Sequence, residues 1–459
     1  MAATVPLTNE DERLPLLIGF QKISETTNRN TRFIDHGRGI YIYDTDGNEY
    51  IEATASFYVA SLGYGNQELV DAIEKQYREL PFYVCGLHRT PKGSLDLAEK
   101  LTEILPVEDA HILFASTGSE AIDFLIKMLR FGAVAKGTPK RTTIIGRHGS
   151  YHGGTLASAS LTGGHHEEFA LPIEGFRHVS QPDYHGDRAP GETSAEYASR
   201  LAKELQTLIE GEPDNSIAAF FAEPVSFSAG FKVPPAEYFP AIYQVLKNYD
   251  IDFAVDEVVT GMGRTGSFFG SETLGLKPDH MTTAKGITSG YFPLSAVALG
   301  KDLYDALDAG GERFGTLAHA STHAAHPVGA AAALKMIEII ERDKLVEKAA
   351  DTSAYLANKF QAFKDHPLVG DVRCLGLAGS LDFLRRGDND APLNDDADEV
   401  MSAVYDALLA RGIIVRPAGR NIIVAPPLII TREEVDVICE RIALALDDVL
   451  KSKGSDSID

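Results

Sequence analysis

The sequence predicts an α/β protein with a large, mostly parallel sheet in one domain and a smaller α+β domain. Two observations carry this. From about residue 66 to 330, helical patterns alternate with short apolar runs bounded by Gly or Pro, as strands covered on both faces require. Beyond residue 330, an Ala-, Leu-, Ile- and Lys-rich helical stretch leads into shorter strands and one last helix. A chain of 459 residues has room for two or more domains. The expected division is 1–65 (an arm and a hairpin belonging to the small domain), 66–330 (large domain) and 331–459 (C-terminal small domain).

Taken in order, residues 1 to about 36 are weakly periodic and read as an arm or entry helix that could lie on a partner subunit. GIYIYDTDGNEYIEA then alternates apolar and polar residues on both sides of Asp46-Gly47, the pattern of a β-hairpin. Expected buried strands include HILFA (111–115), TTIIG (142–146), AAFFA (218–222), DFAV (252–255) and AVALG (296–300), with helices over Ser119–Arg130 and Ala236–Tyr249. The second domain should hold the strands GLAGSLDFL, IIVRP and NIIVAPP and a helix from Glu433 to about Leu450, before a frayed polar tail.

Composition narrows the function. The acidic excess, 66 Asp+Glu against 43 Lys+Arg, repels polyanions, so neither nucleic acid nor an anionic membrane is an expected partner. Cys85, Cys374 and Cys439 are too few and too scattered for a disulfide framework or a zinc site. The adjacent histidines of GGHHEE (163–168) lack a ligand spacing, so no metal is expected. The first residues lack a basic region followed by an apolar run, and no stretch is long enough to span a bilayer. A cytoplasmic location is expected.

Four stretches carry candidate chemistry. Asp256, in VDEV, ends an apolar strand, where open α/β sheets border their ligands. Lys285, in MTTAKGITSGY, follows an apolar run among small residues; partial desolvation there lowers a lysine's pKa and exposes a nucleophilic amine. STGSEA (116–121) lies between a strand and a helix, and its free amides and hydroxyls suit a phosphate. In SYHGG (150–154), Tyr151 can stack on a flat heterocycle. Alone, each has an ordinary structural reading: a helix cap for Asp256, a surface lysine for Lys285, a serine N-cap for STGSEA, a loop anchor for Tyr151. In this order on the carboxyl edge of one sheet, they describe a pyridoxal-5'-phosphate (PLP) site.

Over nearly its whole length the chain resembles the class III aminotransferases, and within them the ω-amine:pyruvate transaminases. The matching stretches include SLGYGN, TGSEAIDFLIKMLR, GSYHGG, AEPV, FKVPPAEYF, VDEVVTGMGRTG, TAKGITSGYFPLSAVALGK, THAAHPVGAA, GDVRCLG, and VRP followed by IIVAPPL. The resemblance implies the aspartate-aminotransferase-like fold of PLP-dependent transferases and assigns roles by position. Lys285 would hold PLP as a Schiff base and shuttle the proton, and Asp256 would pair with the pyridine nitrogen. Tyr151 would stack on one ring face and Val258 cover the other. Gly118 and Ser119 would hold the phosphate, Thr322 would reach it from a second subunit of a homodimer, and His152 and Glu223 would complete the cofactor's surroundings. Pairing of dimers into tetramers stays open.

For the substrates, the resemblance points to a small amine donor and a keto-acid acceptor whose carboxylate Arg416 would grip. Relatives that use 2-oxoglutarate carry a second glutamate five residues after the first, which neutralises this arginine; here that position is Ser228, which favours pyruvate. Tyr58, Gly86, Leu87 and Phe227 are expected to shape the donor pocket, and each departs from the residue common in relatives. Ser321 and His323 replace aromatic neighbours of Thr322, and Arg420, in place of a common Asp, offers a second cation for acidic or polyol donors. The alternative on the same scaffold is a racemase or aminomutase, which would need no external keto acid. A non-catalytic PLP-binding protein is disfavoured by the intact Lys285 and Asp256.

Overall fold

The computed structural model describes residues 13–164, 167–387 and 393–455. The first part of the expected arm, both histidines of GGHHEE and the last residues of the tail lie outside these.

An N-terminal meander comprises β1 (Ile34–Arg38), β2 (Tyr41–Asp44) and β3 (Glu49–Glu52). The expected hairpin is the β2–β3 pair, turning at Gly47, whose φ of 83° favours glycine. Asp44 holds this turn with its side chain, accepting from the Asn48 amide at 2.8 Å.

The large sheet contains β4 (His111–Ala115), β5 (Thr143–Arg147), β6 (Phe176–Val179), β7 (Ile217–Ala222), β8 (Asp252–Asp256), β9 (His280–Thr283) and β10 (Ser295–Leu299). Its order is β4-β10-β9-β8-β7-β5-β6, and β10 runs antiparallel to both neighbours while the other observed pairs are parallel. The carboxyl ends of β4, β5, β7, β8 and β9 therefore share one edge. Every residue of β5, β7 and β10 is buried, because helices cover both faces. On one face lie Gly118–Ala135 and Lys301–Phe314; on the other, Ser194–Gly211 and Tyr238–Asn248.

The C-terminal region adds β11 (Asp371–Cys374), β12 (Gly379–Asp382), β13 (Ile413–Ile414), β14 (Arg416–Ala418) and β15 (Asn421–Val424). β11-β12-β15-β14 form an antiparallel sheet, while β13 pairs in parallel with β3. One apolar core joins Ile40 and Ile51 of the meander to Leu356, Phe360, Val404, Ile438 and Ile442, so chain beginning and end build one body, here called the small domain. The helix Pro327–Arg342 packs with Leu97, Leu101 and Leu294 of the large domain; the next helix, Leu345–Gln361, is the first to face the small-domain core. A separate cluster of Tyr58, Phe227, Phe231, Ala418 and Ile423 joins the two domains. No helix among the described residues is long and apolar enough to cross a membrane.

Candidate active site

A cavity of about 380 Å³ opens at the shared carboxyl edge. The sheet brings Gly118, Ser119, Tyr151, His152, Glu223, Ser228, Asp256, Val258 and Lys285 to its wall. These come from the ends of five strands, as the parallel register requires.

Asp256 is buried at the end of β8. Its Oδ2 lies 2.8 Å from His152 Nδ1, and its Oδ1 accepts the Val258 amide at 3.0 Å. The buried Nε2 of His152 has no hydrogen-bond partner among the described residues. Glu223, also buried, accepts from Ser226 Oγ at 2.8 Å, and burial raises its pKa against the pull of His152 and Arg147. Arg147 donates to the Glu223 carbonyl at 2.7 Å and lies 3.5 Å from its carboxylate.

Lys285 follows β9 by two residues with φ of 45°, a left-handed conformation that costs a non-glycine residue energy and clusters at functional sites. Part of its side chain faces the cavity while protein encloses the rest. Burial lowers its pKa to about 8, with Asp256 and Glu223 opposing and Arg416 assisting. A large share of the lysine is thus neutral near pH 8, and no ion pair or hydrogen bond engages its Nζ among the described residues.

The strand β4 hands over to the helix Gly118–Ala135 through a capping box: Glu120 accepts the Ser116 and Thr117 amides, and Thr117 accepts the Glu120 amide at 3.1 Å. The ordinary cap does not preclude a phosphate, because the box leaves the Gly118 and Ser119 amides at the positive end of the helix dipole. Ser119 Oγ accepts the Gly154 amide at 3.0 Å and keeps its own proton to donate. Gly153, with φ of 139°, lets the two loops approach; a Cβ there would meet Ser158 Oγ at 2.6 Å and Ser119 Cβ at 2.7 Å. Gly153→Ala is therefore expected to cost about 1–3 kcal/mol of stability and weaken PLP binding, read by thermal melting and cofactor titration. Wild-type values of both would refute the tight approach.

The other expected site residues lie elsewhere. Tyr58 and Phe227 stand one layer behind the wall, both buried with rings 4.7 Å apart. Gly86, Leu87 and Thr322 are exposed, Leu87 to 84%, and do not line the cavity of this chain. Ser321 is partly buried and His323 exposed in the same loop as Thr322. Arg416 lies at the domain junction, its guanidinium 4.6 Å from the centre of the Phe57 ring. Arg420 is not a spare cation: its Nε bonds Asp382 at 2.8 Å and its Nη2 bonds Asp183 at 3.0 Å. Cavity residues absent from the sequence reading include Val59, Val225, Thr288, Gly290, Phe292, Pro293 and Leu294. The matching stretches AEPV, for Val225, and TAKGITSGYFPLSAVALGK, for the last five, were the available signal. Nothing in the sequence announced that Ala55, Ser56, Phe57 and Tyr58 form a left-handed turn, with φ of 49°, 49°, 56° and 70°.

The family model for class III aminotransferases matches residues 23–446. The chain belongs to the class III aminotransferases. A putrescine–pyruvate aminotransferase of Pseudomonas aeruginosa is 36% identical over 445 residues, covering 96% of this chain and 95% of that protein. A diaminobutyrate–2-oxoglutarate transaminase of Halomonas elongata is 38% identical over 427 residues, 91% of this chain and 90% of that protein. Among solved structures, an omega transaminase from Pseudomonas jessenii in complex with PMP superposes with a TM-score of 0.92 at 38% identity, covering 96% of this chain and 97% of that one. Class III aminotransferases use PLP, and the residues present fit it. The unpartnered His152 Nε2, the Lys285 amine and the amides at the helix start converge on one cavity, with donors and an amine where a phosphorylated aldehyde needs them.

Proposed function

We propose that this aminotransferase is an ω-transaminase that takes an amino group from an amine donor and delivers it to pyruvate, releasing alanine. The observation that carries the acceptor is Arg416. It forms no ion pair with a carboxylate among the described residues, its Nε is buried without a partner, and Ser228 lines the cavity where a neutralising glutamate would stand in 2-oxoglutarate users. Its charge reaches the reacting centre, since it lowers the Lys285 pKa.

PLP supplies the electron sink and carries the amino group between the two half-reactions. Lys285 would hold the cofactor through Nζ and, once released, move the substrate proton as a neutral amine. Asp256, oriented by His152 and the Val258 amide, would keep a proton on the pyridine nitrogen. Gly118 and Ser119 would hold the phosphate, Tyr151 and Val258 the ring faces, and Glu223 the cofactor's edge. The exposed Gly86, Leu87 and Thr322, near exposed Phe82, Tyr83 and Leu317, support a homodimer in which each chain completes the other's cavity. A cytoplasmic setting fits the free cysteines.

Arg416→Ala removes charged hydrogen bonds worth about 1.5–3 kcal/mol, so KM for pyruvate is expected to rise about ten- to a hundredfold while the amine half-reaction persists. Steady-state kinetics with pyruvate and 2-oxoglutarate in parallel test this. Turnover with 2-oxoglutarate as fast as with pyruvate would overturn the acceptor reading.

A further inference from the structure

The cation expected to meet substrate, Arg420, sits instead in a buried network that spans the two domains. From the large domain come Asp183 and Lys232, 2.8 Å apart; from the small domain come Arg373, Asp382, Arg420 and Asn421. Asp382, with a fully buried side chain, accepts from Arg420 at 2.8 Å and Arg373 at 3.2 Å, and lies 3.6 Å from Lys232. Arg373 also donates to the carbonyls of Gly230 and Phe231, both at 3.1 Å, and to Asn421 Oδ1 at 2.5 Å. Burial would raise the Asp382 pKa, but the charges of Arg373, Lys232 and Arg420 bring it down to about 2.

Two glycines clear the space for this network. A Cβ on Gly186 would meet Arg420 Nη2 at 2.5 Å, and one on Gly230, whose φ is 98°, would meet Asn421 Nδ2 at 2.5 Å. The network grips two segments that lead into the site. One is the excursion closed by the Ser226–Lys232 bridge, which carries Phe227 and the cavity residue Ser228. The other is the β14–β15 hairpin, which carries Arg416 at its first residue and Arg420 at its turn.

We propose that Arg420 is a positioning residue: by bridging Asp382 of one domain and Asp183 of the other, it fixes the angle at which the hairpin presents Arg416 to the acceptor's carboxylate. This rests on the reading of Arg416 given above. Three charged partners of the hairpin, Asp183, Arg373 and Asp382, and two glycines without room for a methyl oppose its rotation, whereas a hairpin held by backbone pairing alone could pivot at Gly419, whose φ is 54°. A bidentate grip on a carboxylate depends on such an angle.

The test compares Arg420→Gln, Arg420→Lys, Arg416→Ala and the double variant Arg416→Ala/Arg420→Gln, each as the PLP-loaded enzyme. The readouts are KM for pyruvate, the single-turnover rate with amine alone, and Tm. The expected result is a roughly tenfold higher pyruvate KM in Arg420→Gln, an amine half-reaction within about twofold of wild type, partial recovery in Arg420→Lys, and a double variant no worse than Arg416→Ala. Equal losses in both half-reactions, or a change in Tm alone, would make Arg420 merely structural and overturn the proposal. If Arg416→Ala raises KM and Arg420→Gln does not, the clamp falls and the carboxylate reading stands. If Arg420→Gln raises KM and Arg416→Ala does not, Arg420 itself meets the acceptor and both fall.

Discussion

Lys285→Ala is expected to abolish transamination, with a loss of at least about 10⁴-fold, the upper range for a single proton-transfer group, and to leave the fold standing. The expectation follows from what surrounds the amine. Burial holds its pKa at about 8, and its Nζ is engaged by no hydrogen bond among the described residues, so truncation deletes a nucleophile and base without stranding a partner. The position itself, at φ of 45°, is held by its neighbours and not by its own side chain. The same environment sets a pH dependence. Only the neutral amine attacks the cofactor's aldehyde, so capture of PLP by the apo-protein should quicken about tenfold per pH unit below about 8 and level off above it. Turnover, Tm and the rate of PLP capture check both parts. Residual activity within tenfold of wild type would remove Lys285 from the centre of the reaction.

Asp256→Asn is expected to lower kcat about 10²–10³-fold, the scale for removing one preorganised electrostatic group. Asn keeps the shape and can still accept the Val258 amide at 3.0 Å, so the site's outline survives. What is lost is the negative charge, which would hold a proton on the pyridine nitrogen and which now meets His152 Nδ1 at 2.8 Å. Separate measurement of kcat and PLP affinity distinguishes this from loss of cofactor. An unchanged kcat in the fully loaded variant would overturn the role.

Much of the sheet was legible because its central strands are covered on both faces and read as unbroken apolar runs. AAFFA and DFAV became β7 and β8 almost residue for residue. β6 and β11 were harder: FRHV and DVRC interrupt the apolar pattern with charges that are satisfied across the fold, Arg177 by Glu212 and Arg373 by Asp382. The helix Pro327–Arg342 reads as the start of a second domain because its composition changes there, yet its buried face belongs to the large domain. Sequence periodicity reports that a face is buried, not against what.

The sequence by itself determined which candidate groups meet at the carboxyl edge. Once strands run parallel, their ends must share one side of the sheet, so a strand-end Asp, a Lys two residues past its strand and a helix-start Gly-Ser become neighbours whatever the loops do. Only the tertiary structure decided what lies around that centre. Tyr58 and Phe227 withdrew behind the cavity wall into the cluster joining the domains. Arg420 found Asp382 and Asp183, partners 38 and 237 residues away in the chain, and ceased to be a free cation. Pairing of that kind depends on the angle between two domains, and no local pattern of residues encodes that angle.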